Sequence, residues 1–384
     1  MFLAGFATFS LIYCVQPLLP EFAAHFGISA GESSLAMSLT TASLAMSILL
    51  MAAFSEKVGR RGLIFFSMVL ASVFAIAAAI APSWEGILLA RTLQGVALGG
   101  VPAVAMAYLA EEVSPERLGL SMGLYVGGTA FGGMAGRVVT GALAEWLTWK
   151  GALAIIGLID LMTAFLFLLL LPASTNFVAR KGLSLQTHLR AWSDHLRDPF
   201  LFLLFSIGFV SLGAFMAIYN FIGFRLINEP YNLNSAQIGL IFLAYIGGIA
   251  ASASAGALAN RIGRGTIMLA GTIICLTGVG LTTLTPLYAI IAGIVTVTIG
   301  FFMVHSVASA WVGKRAPRNK GHASSLYLLS YYLGASVLGS SGGLAWRGGG
   351  WDAVALYAAG LLSGLLLLTI LLRRAEDGSW QSQT

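Results

Sequence analysis

The stretch "AAFSEKVGRRG" (residues 52–62) carries four charged side chains, Glu56, Lys57, Arg60 and Arg61, in a chain of which only 9% is charged. Uncharged apolar runs stand on both sides of it, 33–53 and 62–84. A weaker version, "LANRIGRG" (258–265), returns about two hundred residues later, with Gly263 and Arg264 where the first has Gly59 and Arg60. A second pair of stretches, "AYLAEEVSPERLGLSMGLY" (107–125) and "SAWVGKRAPRNKGHASSLY" (309–327), repeats at nearly the same offset. A chain that writes charged, glycine-centred loops at matching places in two apolar halves is an internal duplication of membrane spans.

Composition supports the membrane assignment. The 384 residues are 58% hydrophobic, with a mean hydropathy of +0.88, whereas an ordinary globular domain is about a quarter charged. Charge-free windows such as 238–260 and 266–313 are long enough for helices to cross a bilayer core. Lipid leaves only helical bundles and closed barrels, and a barrel would alternate in segments of about ten residues. The expected fold is therefore an all-α polytopic membrane protein.

Twelve apolar runs predict twelve spans: 2–19, 33–54, 63–82, 85–110, 118–143, 151–172, 200–224, 236–258, 266–285, 287–312, 322–345 and 352–372. The organisation expected from them is a six-helix bundle over 1–172, a linker over 173–199, a second six-helix bundle over 200–372 and a tail over 373–384. Within the linker Leu185, Leu189, Trp192 and Leu196 recur at helical spacing beside Arg190 and Arg197, the pattern of an amphipathic helix on a membrane surface. No basic leader or cleavage site marks a signal peptide. The chain opens inside its first apolar run, so a short tail ahead of it is expected.

With the amino terminus cytoplasmic, inside loops collect sixteen of the 21 lysines and arginines, outside loops hold three and two fall within spans. The positive-inside rule then places both termini in the cytoplasm. It also accounts for the pI of 9.4 without nucleic acid as a partner. Two halves of the same sidedness are parallel repeats, with a substrate site expected between them near mid-membrane.

Over essentially its whole length the chain resembles the major facilitator superfamily. "AAFSEKVGRRG" is similar to that family's loop signature G-x-L-x-D-R-x-G-R-R, with Glu56 where Asp is usual and Ala52 where Gly is usual. "RTLQG" (91–95) resembles the R-x-x-Q-G motif of proton-coupled members. "GLYVGGTAFGGMAGR" (123–137) resembles the antiporter motif of the drug:proton antiporter branch, without its proline. "LIYCVQPLLP" (11–20), "HSVASAWVG" (305–313) and "SSLYLLSYYLG" (324–334) look most like a bacterial inner-membrane transporter of that branch. The resemblance implies a monomeric secondary transporter working by alternating access. It implies proton-coupled efflux of a small amphiphilic compound from a bacterial inner (plasma) membrane. It also implies a cytoplasmic gate in which Glu56 faces the start of span 11 and Arg60 pairs with an acid ending span 4, for which Glu112 is the expected residue. Arg61, Arg117, Gly59, Gly263 and Arg264 complete that gate, and simple charge anchoring is the other reading of its basic residues.

Ionisable residues inside spans are costly and mark function by default. Arg91, Arg137, Asp160 and His305 are the ones present. Arg91 is expected to meet a carboxylate or the substrate, and Arg137 either the substrate or the outer headgroups. Asp160 is either a proton carrier or the structural partner of an arginine. His305 is either a coupling group or a hydrogen-bonded packing residue. Tyr13, Gln16, Asn220 and Tyr331 are expected to line a central pocket, interfacial aromatic belts being the alternative for the tyrosines. Gly123, Gly127, Gly128, Gly132 and Gly133 are expected to bring a neighbouring helix close. No phosphate-binding loop, metal-ligand cluster or other cofactor motif occurs. The converging nucleophile, acid and base of an enzyme are likewise missing from the sequence. Two intramembrane arginines against one deep acid leave an organic anion or sugar as the alternative substrate class.

Overall fold

The computed structural model describes residues 1–172, 174, 185–316 and 318–381, and the side chains of 52–58, 110, 115, 185 and 377–381 lie outside the described set. Every regular element among the described residues is a helix, and apart from the linker helix and the short helix Ala30–Ser33 they fall on the twelve predicted spans. Span 1 is broken: a helix Phe2–Tyr13, a 3-10 turn Gln16–Leu18 and a helix Leu19–Phe26. Pro17 and Pro20 cause the break, because neither can donate a backbone hydrogen bond. Spans 2 and 3 are Leu35–Val58 and Arg60–Ile80; span 4 is Trp84–Leu98 continued by Gly100–Glu112; spans 5 and 6 are Pro115–Trp146 and Trp149–Leu170. After the linker helix Leu185–Arg197 come span 7, Pro199–Leu226, and span 8, Ser235–Leu240 continued by Tyr245–Ile262. Spans 9 and 10 are Arg264–Thr282 and Leu287–Arg315.

The last two spans run as one helical stretch, Lys320–Gln381, interrupted by non-helical backbone at Gly349 and Gly350. Gly350 has φ 59°, a left-handed conformation that glycine adopts without a Cβ penalty. Helix also continues through most of the segment read as a tail, 373–384. Ten helices among the described residues are long and apolar enough to cross a membrane, the merged stretch counting once and the glycine-rich span 5 not included.

The chain divides into two compact units. Unit 1 is Met1–Leu183 with Leu226–Phe242; unit 2 is Ser184–Arg225 with Leu243–Thr384. The linker helix therefore packs with unit 2, and the first turns of span 8 pack with unit 1.

Inside each unit the same close contacts recur. In unit 1 a Cβ on Gly5 of span 1 would lie 2.6 Å from the Tyr125 carbonyl of span 5. In unit 2 a Cβ on Gly208 of span 7 would lie 2.8 Å from the Tyr327 ring of span 11. Gly132 meets the Phe6 backbone in the first unit as Gly334 meets the Phe209 backbone in the second. The turn between spans 2 and 3 and that between spans 8 and 9 are also alike. Gly59 has φ 84°, ψ 142° and Gly263 has φ 93°, ψ 144°. That conformation is closed to side-chain-bearing residues, which is why both loops keep a glycine there.

Candidate functional site

Arg91 is the centre of unit 1. It is 1% exposed, and its guanidinium reaches main-chain oxygens rather than a carboxylate. Nε donates to the Ala36 carbonyl of span 2 at 3.0 Å. Nη1 donates to the Leu11 carbonyl at 2.9 Å and to Gln94 Oε1, and Nη2 donates to the Ile12 carbonyl at 2.7 Å. Gln94 is held in turn by its own donation to the Ala71 carbonyl of span 3 at 3.1 Å. Leu11 and Ile12 belong to the last turn of the helix that stops at Tyr13, and the final carbonyls of a helix have no partner within it. A planar fork of donors carrying positive charge satisfies both and suits the negative end of the helix dipole. Arg91 is thus the cap of the broken span 1, and the carboxylate expected for it is not its partner.

Arg137 of span 5 is fully buried. Its Nε donates to Gln16 Oε1 at 2.6 Å and its Nη1 to the Gly133 carbonyl at 2.7 Å. The guanidinium carbon lies 3.8 Å from the centre of the Tyr13 ring and 4.9 Å from that of Phe242, both within cation–π range. Snorkelling to headgroups is excluded by this burial. Tyr13, Gln16 and Arg137 form one group, as three of the residues expected to line a pocket.

Asp160 of span 6 is also fully buried, and among the described residues no charged group hydrogen-bonds either carboxylate oxygen. Ser10 and Cys14 of span 1 are its polar neighbours, and the Arg91 and Arg137 charges are felt at the same cysteine. Arg91, Arg137 and Asp160, buried charged residues of unit 1, are therefore gathered around the break in span 1.

In unit 2, His305 of span 10 shares a 3.0 Å hydrogen bond with the Tyr327 hydroxyl. Its ring stacks on Tyr331 at 4.4 Å between centroids and lies nearly parallel to Phe301 at 5.8 Å. Asn220 is buried on span 7, beside Gly339 of span 11.

Among the loop residues, Arg60 makes a two-pronged contact with Glu111, 2.7 Å from Nη2 and 3.1 Å from Nε. The acid expected was Glu112. The two differ by one helical step, which turns the side chain by about 100°, and Glu112 instead lines a cavity of about 440 Å³ with Tyr108, Ser121 and Leu171. Arg61 donates to the Leu168 carbonyl at 2.5 Å, and Arg117 is exposed at the start of span 5. Beside it, the Glu116 carboxyl is held below the ordinary carboxylate range by its own backbone N–H and the Ser114 hydroxyl. Arg264 stands over the Trp311 ring at 5.5 Å, since the repeat puts Gly313 where the first half has Glu111. The Glu56 side chain falls outside the described residues.

The Arg60–Glu111 pair is part-buried, at 11% and 33% exposure. Glu111→Gln is expected to destabilise the purified protein by about 1–2 kcal/mol, the value for hydrogen bonds to charged groups discounted for solvent screening. Thermal unfolding in detergent checks it, and the exchanged pair Arg60→Glu with Glu111→Arg is expected to regain most of the loss. An unchanged unfolding temperature in Glu111→Gln sinks the pairing argument.

The span 5 glycines divide by face. Gly128, Gly132 and Gly136 press on the backbone of Phe2, Phe6 and Ser10, and Gly133 lies against Tyr13 and Arg137. Gly123 and Gly127 meet nothing within 4 Å, so the packing role expected for those two is corrected. Gln94 and Glu111 are the site residues missed; Gly136 belongs to the same glycine run, and its spacing by four from Gly128 puts it on the packed face.

Comparison with known proteins gives the family of this fold. The family model of the Major Facilitator Superfamily matches residues 1–339, with a second match over 207–383. The MFS-type transporter YybF of Bacillus subtilis is 44% identical over 369 residues, covering 96% of this chain and 90% of that protein. The inner membrane transport protein YnfM of Escherichia coli is 42% identical over 374 residues, covering 97% and 89%. Among solved structures, the nucleoside transporter NupG superposes with a TM-score of 0.78 at 15% identity, covering 97% of this chain and 98% of that one. An inward-facing bacterial homolog of the human lysosomal transporter Spinster gives 0.77 at 14% identity, covering 97% and 93%. These relatives are transporters and not enzymes. The chain is a multi-pass membrane transport protein and belongs to the Major Facilitator Superfamily.

Proposed function

We propose that the chain is a proton-coupled secondary transporter that exports a small amphiphilic compound by alternating access. The observation that carries the reading is Asp160, a fully buried carboxyl in a span whose polar neighbours, Ser10 and Cys14, are uncharged. A bare negative charge in such a place costs several kcal/mol even after relaxation. The group therefore needs either a proton or a guanidinium beside it, and Arg91 and Arg137 lie in the same unit. A cycle that alternates between those two partners carries one proton per turn. His305 has a different part, holding Tyr327 and Tyr331 in a stack against which a flat apolar solute can slide. Tyr13, Gln16, Asn220 and Tyr331 complete the substrate pathway.

In this reading the loop between spans 2 and 3 is the cytoplasmic gate. Glu56, Arg60, Arg61 and Arg117 act in it with Glu111, and Gly263 and Arg264 form its counterpart in the second half. Both termini are cytoplasmic, the membrane is a bacterial inner membrane as for YnfM, and the chain works as a monomer without cofactors.

Arg137 favours a second reading. Its charge sits between two aromatic rings with Gln16, a setting that suits an organic anion or an acidic sugar as cargo.

The test uses liposomes with a pH-sensitive dye trapped inside, an imposed pH gradient, and panels of cationic dyes, organic acids and sugars. Substrate-driven proton flux is expected with the parent protein, and the active panel decides between the two cargo classes. Asp160→Asn is expected to abolish that flux while labelled substrate still equilibrates across the membrane. Proton flux undiminished in Asp160→Asn overturns the assignment of the carrier.

A further inference from the structure

The linker helix meets unit 2 through one face, on which His188, Trp192 and His195 follow each other at helical spacing. His188 Nδ1 lies 2.9 Å from His322 Nε2. Trp192 Nε1 donates to the Ser325 hydroxyl at 3.3 Å, and His195 Nε2 lies 3.3 Å from the Asn319 carbonyl oxygen. All three partners sit at the start of span 11. Leu189 and Leu196 flank this face and are exposed, and Arg190 and Arg197 stand on the opposite side of the helix.

Two imidazole nitrogens that face each other at this distance share a single hydrogen. If each ring carries its hydrogen on the far nitrogen instead, two lone pairs converge on one point with no net loss of a proton. Imidazole nitrogens bind zinc at about 2.0–2.1 Å, which in a tetrahedral site sets two of them about 3.3 Å apart. The pair needs to open by only a few tenths of an ångström to admit the ion. His188 is buried and His322 half-buried, so one side of the site is open to solvent for the remaining ligands. The Trp192 ring closes another side, 5.8 Å from the His188 ring and 5.7 Å from that of His322. Imidazole donors suit zinc, copper and nickel rather than magnesium or calcium. Among the described residues no cluster of three or more His, Cys, Asp or Glu could hold a metal, so the site has two protein ligands and exchanges its ion readily.

We propose that His188 and His322 form a two-imidazole site for a zinc-class divalent ion, which when occupied pins the linker helix to the start of span 11. The proposal does not rest on the transport cycle, and its test is one of binding. Zn²⁺ titrated calorimetrically into the full chain in detergent is expected to bind at one equivalent, with no heat from Mg²⁺. That binding is abolished in His188→Gln and in His322→Gln, which keep side-chain size and hydrogen bonding, and is retained in His25→Gln. Zinc is also expected to slow tryptic cleavage after Arg190 several-fold in the parent and not in either glutamine variant. Size-exclusion profiles identify a variant that has failed to fold, and in that case alanine at the other histidine is read instead. Absence of zinc binding, binding that survives both substitutions, or cleavage unaffected by zinc each overturns the proposal.

Discussion

Arg91→Ala is expected to leave little folded protein after extraction into detergent. The substitution removes all four guanidinium donations; the Ala36 carbonyl keeps the Thr40 hydroxyl and the Leu11 carbonyl the Cys14 thiol, whereas the Ile12 carbonyl and Gln94 Oε1 are stripped. A buried polar group stripped of its partner costs about 1–3 kcal/mol. Two such groups together reach the lower end of the stability of a domain, commonly about 5–15 kcal/mol. Arg91→Lys keeps the charge but offers a point donor where a planar fork is needed, and is expected to fall between alanine and the parent. Fluorescence-detected size exclusion after a heat step is the measurement. If Arg91→Ala runs as a monodisperse peak with the parent's heat resistance, the capping role is wrong. If transport alone is lost, the arginine meets the substrate instead.

Gly334→Val is expected to be equally damaging, and for a steric reason. A Cβ there would fall on the Phe209 carbonyl oxygen, and one on Gly132 would fall on that of Phe6. The obstruction is backbone in both cases, so no side-chain rotation relieves it and the helix pair must separate. Overpacking a core with far softer neighbours already costs about 1–3 kcal/mol. Gly132→Val should therefore behave like Gly334→Val, whereas Gly123→Val, in open space, should express and unfold as the parent does. Equal behaviour of all three variants would refute the face assignment of the span 5 glycines.

Much of the architecture was legible because membrane spans announce themselves by length and charge. The twelve runs and the doubled loop are such signals, and a glycine between helix ends has few other uses. The site was less legible. Arg91 was correctly marked as unusual, but its partners are carbonyls, and main-chain oxygens leave no trace in a sequence. Only Pro17 and Pro20 hinted that a helix end near Leu11 would need a cap. Choosing between Glu111 and Glu112 required knowing which way span 4 is rotated, and two acids at consecutive positions do not reveal it. Gly123 and Gly127 were grouped with Gly128 and Gly132 by composition. A stripe at intervals of four would have separated them. His188 and His322 are 134 positions apart, and nothing local relates them.

The matched turns at Gly59 and Gly263 say something about how a duplicated gene ages. The two copies differ at this corner: the first holds its arginine with Glu111, whereas the second has Gly313 at that place and seats its arginine on Trp311. Side-chain chemistry was therefore free to drift between the copies. Backbone angles were not: the two glycines still agree within 9° in φ and 2° in ψ, from 84° and 142° to 93° and 144°. What the two copies share in this loop is a bend, and the ion pair belongs to the first copy alone.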